Sequence, residues 1–331
     1  MGNIKFILIR EEVIKSVRRF FDEQDFHEVI TPVLNDSVPL EPNLYAFSTE
    51  WKTNDGTNKL FLTTSPEKNL KRMIALGMGN CYSIGASFRN LEGAGSLHTP
   101  EFLMLEWYRK DAEYSQIMKD VQDLIIYVKN NIDKYLHQSL SPILVYQNEH
   151  VDLTTQWPKI SVSKMLENLT KRNINEILSD DAILIQYAHN KGYSIEGATW
   201  SEVYDQIFVN EIESQLPKSP FFMVDFPARL STLCKKKSEN PLIAERFELY
   251  MFGIELGNGN TESTDVEGIR KIFEHEKQLR EKMETLQAVD EDFLESLTAM
   301  QGTSYAGIGL GLDRLSMIMA NEQTLMNKNK E

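Results

Sequence analysis

An α+β fold built on an antiparallel sheet is the fold class this 331-residue sequence predicts. Three observations carry it. Period-two alternation gathers in residues 45–109, in 221–259 and again near residue 310, while helical periodicity dominates the middle, so strands and helices do not take turns as a βαβ repeat requires. Two strong strand patterns, 81–89 and 101–109, are joined by a polar loop holding Gly93, Gly95 and His98, the mark of a long-looped hairpin. The run Gly307-Ile308-Gly309-Leu310-Gly311-Leu312 puts every glycine on one strand face and every aliphatic side chain on the other.

The elements follow in order. Val13, Val17, Phe20 and Phe21 have the i, i+4, i+7, i+8 spacing of an amphipathic helix ending near Asp25. A short strand, Glu28 to Thr31, runs into Pro32, and 45–64 reads as two strands around the turn Asn54-Asp55-Gly56. Pro66 to Ala75 reads as a helix. Ile117, Val121, Leu124, Ile125, Val128 and Ile132 mark a long helix, and 155–216 reads as largely helical without a chemical motif. We take about 112–216 as a mainly helical insertion in a single domain spanning 1–331. Strands return at Phe221 to Phe226, Arg246 to Met251 and Ile254 to Gly259, the last two around Phe252 and Gly253. A charged helix from Val266 to about Leu286, a strand from Ala306 to Leu312 and a helix from Leu315 to Ala320 complete the chain.

Composition narrows the function classes. A hydrophobic share of 41% with 25% charged residues is globular usage, not disordered or membrane-spanning. The net charge of −14 lacks the basic footprint of a nucleic-acid binder. Cys81 and Cys234 are too few for a disulfide framework or a four-cysteine zinc site, which fits a reducing cytoplasm. The apolar stretch before Arg10 is too short for a signal or spanning segment, and Phe6 breaks the myristoylation pattern of a Met-Gly start. No P-loop, HExxH or GxSxG pattern occurs.

Alternation locates the chemistry. On the first hairpin strand Ser83, Gly85, Ser87 and Arg89 share a face whose small residues leave room for an anion. On the return strand Leu103, Leu105 and Trp107 pack one way, and Met104, Glu106 and Tyr108 point the other, where a carboxylate and a phenol suit an amine. Taken alone, Arg89 and Glu106 read first as a structural ion pair on a half-exposed sheet, and the functional reading gains weight from the other strands. Strict alternation groups Glu255, Gly257 and Gly259 on one face and Ile254, Leu256 and Asn258 on the other, and with Glu262 close behind, two acids could meet one Mg²⁺. Bare backbone at Gly307, Gly309 and Gly311 admits a flat ligand. Asp313 is expected to cap the next helix, and Arg314 to meet a phosphate at its start.

Together these residues resemble class II aminoacyl-tRNA synthetases. Pro32 after Glu28-Val29-Ile30-Thr31 resembles motif 1, Phe88-Arg89-Asn90 through His98-Thr99-Pro100-Glu101-Phe102 motif 2, and Gly307 through Arg314 motif 3. Thr64-Ser65-Pro66-Glu67, Met104-Leu105-Glu106-Trp107-Tyr108-Arg109 and Ala244-Glu245-Arg246-Phe247-Glu248 are similar to the lysyl branch, and within it to the elongation factor P (R)-beta-lysine ligases. Neither end leaves room for a separate anticodon-binding domain, so tRNA is not the expected acceptor.

What the resemblance implies is residue-specific. Arg89 would hold the α-phosphate and the attacking carboxylate, Arg314 the γ-phosphate, and Glu255 with Glu262 magnesium. Asn90, Glu92, His98, Thr99, Phe102, Leu256 and Gly311 would complete the ATP site. Ser65, Pro66, Glu67, Glu106, Tyr108, Asn258, Glu262 and Gly309 would surround the amino acid, with Tyr108 and Glu262 on its side-chain ammonium. Leu91 lengthens the motif 2 loop and displaces the usual glutamate, so Glu92 takes its role, and Thr99 replaces an asparagine. Gly309 stands where beta-lysine ligases carry alanine and lysyl-tRNA synthetases glycine.

The implied reaction uses ATP and Mg²⁺ to activate lysine or (R)-beta-lysine and passes it to a lysine of elongation factor P, in a cytoplasmic homodimer joined through motif 1. Two alternatives stand beside it. One is a truncated lysyl-tRNA synthetase-like enzyme charging tRNA or another carrier. The other is a catalytically silent amino-acid or nucleotide binder, which intact Arg89, Glu255, Glu262 and Arg314 disfavour.

Overall fold

Eight strands hydrogen-bond into one twisted sheet, and its six central members are antiparallel, with one parallel strand added at each edge. The computed structural model describes residues 4–93, 95, 97–283 and 286–325. The Met-Gly start and the end of the chain lie outside them.

In chain order the structure runs through α1 (Ile4–Asp22), β1 (His27–Glu28), β2 (Leu34–Asn35), β3 (Ser48–Thr53), β4 (Gly56–Leu62) and α2 (Glu67–Ala75). The hairpin β5 (Cys81–Phe88) and β6 (Glu101–Lys110) leads into α3 (Tyr114–Tyr135), the small hairpin β7 (Ile143–Tyr146) and β8 (Glu149–Asp152), and β9 (Lys159–Ser161). Four helices follow, α4 (Val162–Thr170), α5 (Ile174–Ser179), α6 (Asp181–Asn190) and α7 (Trp200–Ile207). Then come β10 (Phe221–Val224), β11 (Arg246–Met251), β12 (Ile254–Thr261), α8 (Val266–Leu279), α9 (Glu291–Ala299), β13 (Tyr305–Gly311) and α10 (Leu312–Ala320). The large sheet is ordered β1-β5-β6-β13-β12-β11-β10-β9, and β2, β4 and β3 form a separate three-stranded sheet.

The two sheet faces have opposite fates. One is covered by α1, α3 and α10, whose Phe21, Val121, Leu124 and Leu315 bury against Leu105, Trp107, Ile308 and Leu310 of the strands. Helix α3 therefore belongs to the main core. The segment with a core of its own begins at Val162: α4–α7 close around Trp200 and Tyr204 and pack on Phe221, Met223 and Tyr250. Its helices start at sequence-encoded caps, Ser161 for α4 and the Thr199/Glu202 capping box for α7.

Several features differ from the sequence expectation: α10, for example, starts at Leu312 rather than Leu315, and β10 ends at Val224 rather than Phe226. The Glu28–Thr31 strand shrinks to β1, because after Val29 donates to the Tyr82 carbonyl (2.7 Å) the chain leaves the sheet toward Pro32. Helix α8 stops at Leu279 instead of about Leu286: Arg280 turns inward and is almost wholly buried, and 284–285 lie outside the described residues. Asp313 does not cap α10. Its carboxylate instead accepts from Arg10 Nε of α1 (2.8 Å) and the Leu103 amide of β6 (2.7 Å), tying three elements together. The Phe252-Gly253 turn forms as expected, with positive φ at both residues (56° and 74°), the geometry that matches strand twist in a two-residue hairpin.

Among the described residues no helix is long and apolar enough to cross a membrane. Cys81 and Cys234 are unpaired.

Candidate active site

The uncovered face of β5, β6, β13 and β12 floors a cleft of about 1340 Å³, large enough for a nucleotide and a second ligand side by side. Its shape follows from register. Gly307 lies opposite Tyr108, Gly309 opposite Glu106 and Gly311 opposite Met104, so each glycine makes room for a large side chain on the neighbouring strand. A methyl group at Gly307 would stand 2.5 Å from the Tyr108 ring and 2.7 Å from the Trp107 carbonyl. At Gly309 it would meet nothing nearer than Met104 Sδ at 3.3 Å.

Strict alternation fails in β12, and the reason is a bulge. Leu249 pairs with Gly257 while its neighbour Tyr250 pairs with Glu255, leaving Leu256 as an extra residue. The phase therefore shifts: Leu256 enters the main core, Gly257 and Gly259 back onto Ile308 and Phe247, and Glu255, Asn258 and Asn260 all line the cleft. The expected grouping of Glu255 with Gly257 and Gly259 is thus overturned.

Two arginines mark one end of the cleft. Arg89 lies over the Phe102 ring (5.3 Å), with Glu92 3.6 Å from its Nη1. Leu91, the added motif 2 residue, takes a left-handed φ of 61° and turns its side chain to solvent, which brings Glu92 to Arg89. Arg314 donates through Nη1 to the Glu255 carbonyl (2.7 Å), reaches the Leu97 carbonyl (3.3 Å), and has Nη2 3.1 Å from His98 Nε2. Thr99, Leu256 and Gly311 also line this end. Asn90 does not: its amide is taken by the Tyr45 carbonyl and its side chain accepts from the Leu91 amide.

At the other end the acids converge. The Tyr108 hydroxyl donates to Glu106 Oε1 (2.6 Å), and burial, reinforced by Glu67, holds the Glu106 carboxyl well above the usual range. Ser65 and Glu67 line the same region, while Pro66 only starts α2. Lys71, one turn beyond Glu67, is completely buried and bridges Glu67 Oε1 (2.5 Å) and Glu262 Oε2 (2.6 Å). Burial opposes its charge, but Glu262 and Glu67 together raise its pKa above the ordinary lysine value. Asn260 donates to the other Glu262 oxygen (3.0 Å), and burial pushes the Glu262 carboxyl up to about 7. Glu262 therefore sits beneath the cleft wall behind Lys71. Arg89 and Glu106 make no ion pair with each other.

Glu255 and Glu262 cannot share a metal ion, because seven residues of extended chain separate them by on the order of 20 Å. On Glu255's face of the sheet the next acid across the ladder is Glu248, since Tyr250 stands opposite Glu255 and Glu248 two residues before it. Glu248 is held by Arg246 Nη2 (2.6 Å) and the Tyr250 hydroxyl (3.1 Å), and burial, with Glu255 adding its charge, pushes it up to about 7. Arg246 also reaches Asn258 Oδ1 (3.1 Å) and stacks on Phe226. Two carboxylates suit Mg²⁺, which takes one or two together with phosphate oxygens. Among the described residues no group of three or more His, Cys, Asp and Glu side chains is placed to hold a metal ion.

Sequence reasoning missed Glu41, Lys71, Arg246, Glu248 and Asn260 as site residues. Lys71 was legible as the i+4 partner of Glu67 on a helix, and Glu248 as the i+2 neighbour of Arg246 on a strand. Glu41 lies in a loop without periodicity and carried no signal.

Comparison with known proteins agrees with this architecture. Residues 3–327 match the family model described as tRNA synthetases class II (D, K and N). The chain is 35% identical over 322 residues to the elongation factor P--(R)-beta-lysine ligase of Haemophilus influenzae (strain PittGG), covering 96% of this chain and 91% of that one. It is 31% identical to the protein of the same name from Buchnera aphidicola subsp. Acyrthosiphon pisum (strain Tuc7), covering 98% and 94%. It is 30% identical to the lysine--tRNA ligase of Carboxydothermus hydrogenoformans, covering 96% of this chain but 63% of that protein's length. A sheet with one bare glycine face, an arginine at the end of each flanking motif and a match over nearly the whole chain lead to one conclusion: the chain belongs to the class II tRNA synthetase family of the D, K and N type, and it is a ligase of that class.

Proposed function

We propose that the protein uses ATP to activate lysine or (R)-beta-lysine as an aminoacyl adenylate and transfers it to a lysine ε-amino group of elongation factor P. One observation carries the amino-acid assignment: Glu67 and Glu106 line one end of the cleft, Glu262 lies behind the wall there, and the one ammonium among these three carboxyls, Lys71, is shared by Glu67 and Glu262. Such a site is short of positive charge, and a ligand with two ammonium groups supplies it. A neutral analogue would leave the acids at this end with less positive than negative charge. The relatives named as elongation factor P ligases, matched over nearly their full length, support the acceptor.

In the first step the amino acid's carboxylate attacks the α-phosphorus in line, an O–P bond forms, and the bond to pyrophosphate breaks. The nucleophile is already ionised, so the protein's part is placement and charge. Arg89, braced on Phe102, faces the α-phosphate and the carboxylate, and Arg314, at the start of α10, faces the γ-phosphate. Glu106 with Tyr108 receives the side-chain ammonium, and Glu67 and Asn258 hold the amino acid's other polar groups. Glu262 acts through Lys71 and Asn260 as part of the wall. Glu248 and Glu255 would hold Mg²⁺, which neutralises charge on the phosphates.

Gly309 supports α-lysine as the activated amino acid, because glycine is the residue that lysyl-tRNA synthetases carry there, and it leaves the space beside Met104 and Glu106 wider by one methyl group than an alanine would. The apolar Ile30, 94% exposed, and the exposed Val33 and Leu34 on the motif 1 segment support a homodimer through that surface. We place the enzyme in the cytoplasm.

Amino-acid-dependent ATP–pyrophosphate exchange with Mg²⁺ tests the reading, using α-lysine, (R)-beta-lysine and norleucine. Exchange with a lysine isomer and none with norleucine is expected. Exchange with none of the three would overturn it.

A further inference from the structure

Adenylation needs no base, but the transfer that follows does. A protein lysine reaches the cleft as an ammonium, protonated almost completely at pH 7 because its ordinary pKa is about 10.4, and an ammonium has no lone pair with which to attack. Some group beside the reacting carbonyl must take that proton.

Of the four carboxyls at the amino-acid end, three are already engaged. Glu67 and Glu262 share Lys71, and Glu106 accepts from Tyr108. The Glu41 carboxylate has no hydrogen-bond or ion-pair partner among the described residues. It is half-buried, lines the cleft, and is held there through its backbone: the almost wholly buried Arg280 donates to the carbonyls of Glu41 and Leu44 (3.0 Å), stacks over Tyr45 (4.5 Å) and pairs with Glu276 (2.9 Å). The Tyr45 carbonyl in turn accepts from the Asn90 amide, so the Glu41 loop is tied to the residue after Arg89.

The charged and titratable groups around Glu41 place it near the reacting carbonyl. Glu67 and Lys71 face it from α2, Arg89 from the end of β5, Arg246 from β11 and Cys234 from the segment before β11. His275 and Glu276 of α8 line the same cleft. Arg89 is the group that faces the carboxylate undergoing activation, and Glu67 lies beside the amino acid itself. The Glu41 carboxyl, within electrostatic reach of both and lining the same cleft, is placed to meet an amine arriving at that carbonyl.

We propose that Glu41 is the general base of acyl transfer, taking the proton from the acceptor lysine's ammonium. This rests on the reading of the protein as a ligase that acylates a protein amine. The neutral nitrogen then attacks the acyl carbon, a C–N bond forms, and the bond from that carbon to the phosphate oxygen breaks. The proton left on the new amide nitrogen departs with the leaving phosphate, so AMP leaves protonated and Glu41 is regenerated by solvent. Burial, with the neighbouring Glu67 charge, pushes the Glu41 carboxyl up to about 7, the poise a base needs to work near neutral pH.

The test compares Glu41→Gln with the wild-type full chain in two assays, lysine-dependent pyrophosphate exchange and acyl transfer to purified elongation factor P. Each transfer assay is repeated with hydroxylamine, a nucleophile that is already neutral at pH 7. Glutamine keeps the carbonyl that Arg280 holds, and exchange itself reports a folded site. The expected result is a loss in transfer to elongation factor P about 10²–10⁴-fold larger than any loss in exchange. With hydroxylamine that excess loss should largely vanish, and the acid limb of the transfer rate near pH 7 should disappear in the variant. Equal losses in exchange and transfer, with a raised KM for lysine, would make Glu41 an ammonium ligand and overturn the proposal. So would unchanged transfer. A wild-type protein that exchanges with lysine but acylates only hydroxylamine would instead remove the elongation factor P reading, and the proposal with it.

Discussion

Replacing Lys71 with methionine keeps the volume of a fully buried side chain and deletes one ammonium, so it isolates the charge at the centre of the site. Two ion pairs go, 2.5 Å to Glu67 and 2.6 Å to Glu262. At pH 8 Glu262, with its carboxyl at about 7, is mostly ionised and has lost its counterion in a place with 2% side-chain exposure. Breaking a buried pair on one side costs about 3–5 kcal/mol. At pH 5.5 Glu262 is mostly protonated before the mutation acts, and what remains is chiefly the charged hydrogen bond to Glu67, about 1.5–3 kcal/mol. The loss should therefore shrink as pH falls. Urea unfolding at the two pH values, read as a change in midpoint at constant slope, measures it. A loss below about 1 kcal/mol at pH 8, or one of the same size at both pH values, would refute the assignment of Lys71 as the counterion of Glu262.

Other expectations follow from the same geometry. Gly307→Ala drives a methyl group into the Tyr108 ring and the Trp107 carbonyl, so it should lower stability by about 1–3 kcal/mol and abolish exchange, whereas Gly309→Ala should unfold within about 1 kcal/mol of wild type and alter only the choice between lysine isomers. Glu41, Glu248 and Glu262 all have carboxyls raised to about 7. The folded state then binds more protons than the unfolded chain between about pH 4.5 and 7, so these groups lower stability as pH rises through that window. Glu106, which receives the side-chain ammonium, is also held well above the usual carboxylate range, so the thermal-shift stabilisation by bound lysine should be larger at pH 8 than at pH 5.5, and a shift independent of pH would contradict the acid cluster. Arg314→Lys loses the planar fork that reaches the Glu255 and Leu97 carbonyls, and the KM for ATP should rise by about 10–100-fold in the exchange assay.

Much of the floor of the cleft was legible because a strand has a period of two. Tyr108, Glu106 and Met104 were assigned to one face of their strand and Gly307, Gly309 and Gly311 to one face of theirs, and the register of the folded sheet pairs them one to one. The same rule misplaced Asn258 and Gly257, since a single extra residue at Leu256 shifts every side chain after it to the other side. Pairing Glu255 with Glu262 failed for a related reason: nearness in sequence along an extended strand is distance in space. Asp313 was assigned from a local preference for helix caps, and a tertiary contact with Arg10 outbid it.

Local chemistry by itself determined the α+β class, the large hairpin, the glycine face, both arginines and the motifs that mark the family, because each depends on residues adjacent in the chain or spaced by one structural period. Tertiary structure alone decided which acids meet. Glu41 comes from a loop, Glu67 and Lys71 from α2, Glu106 from β6 and Glu262 from just beyond β12, and they are brought together by sheet order and by Arg280 holding a loop more than two hundred residues away. Charge interactions act through space, so the ammonium that faces Glu262 and the acid left without a partner among the described residues appear only once the chain has closed on itself.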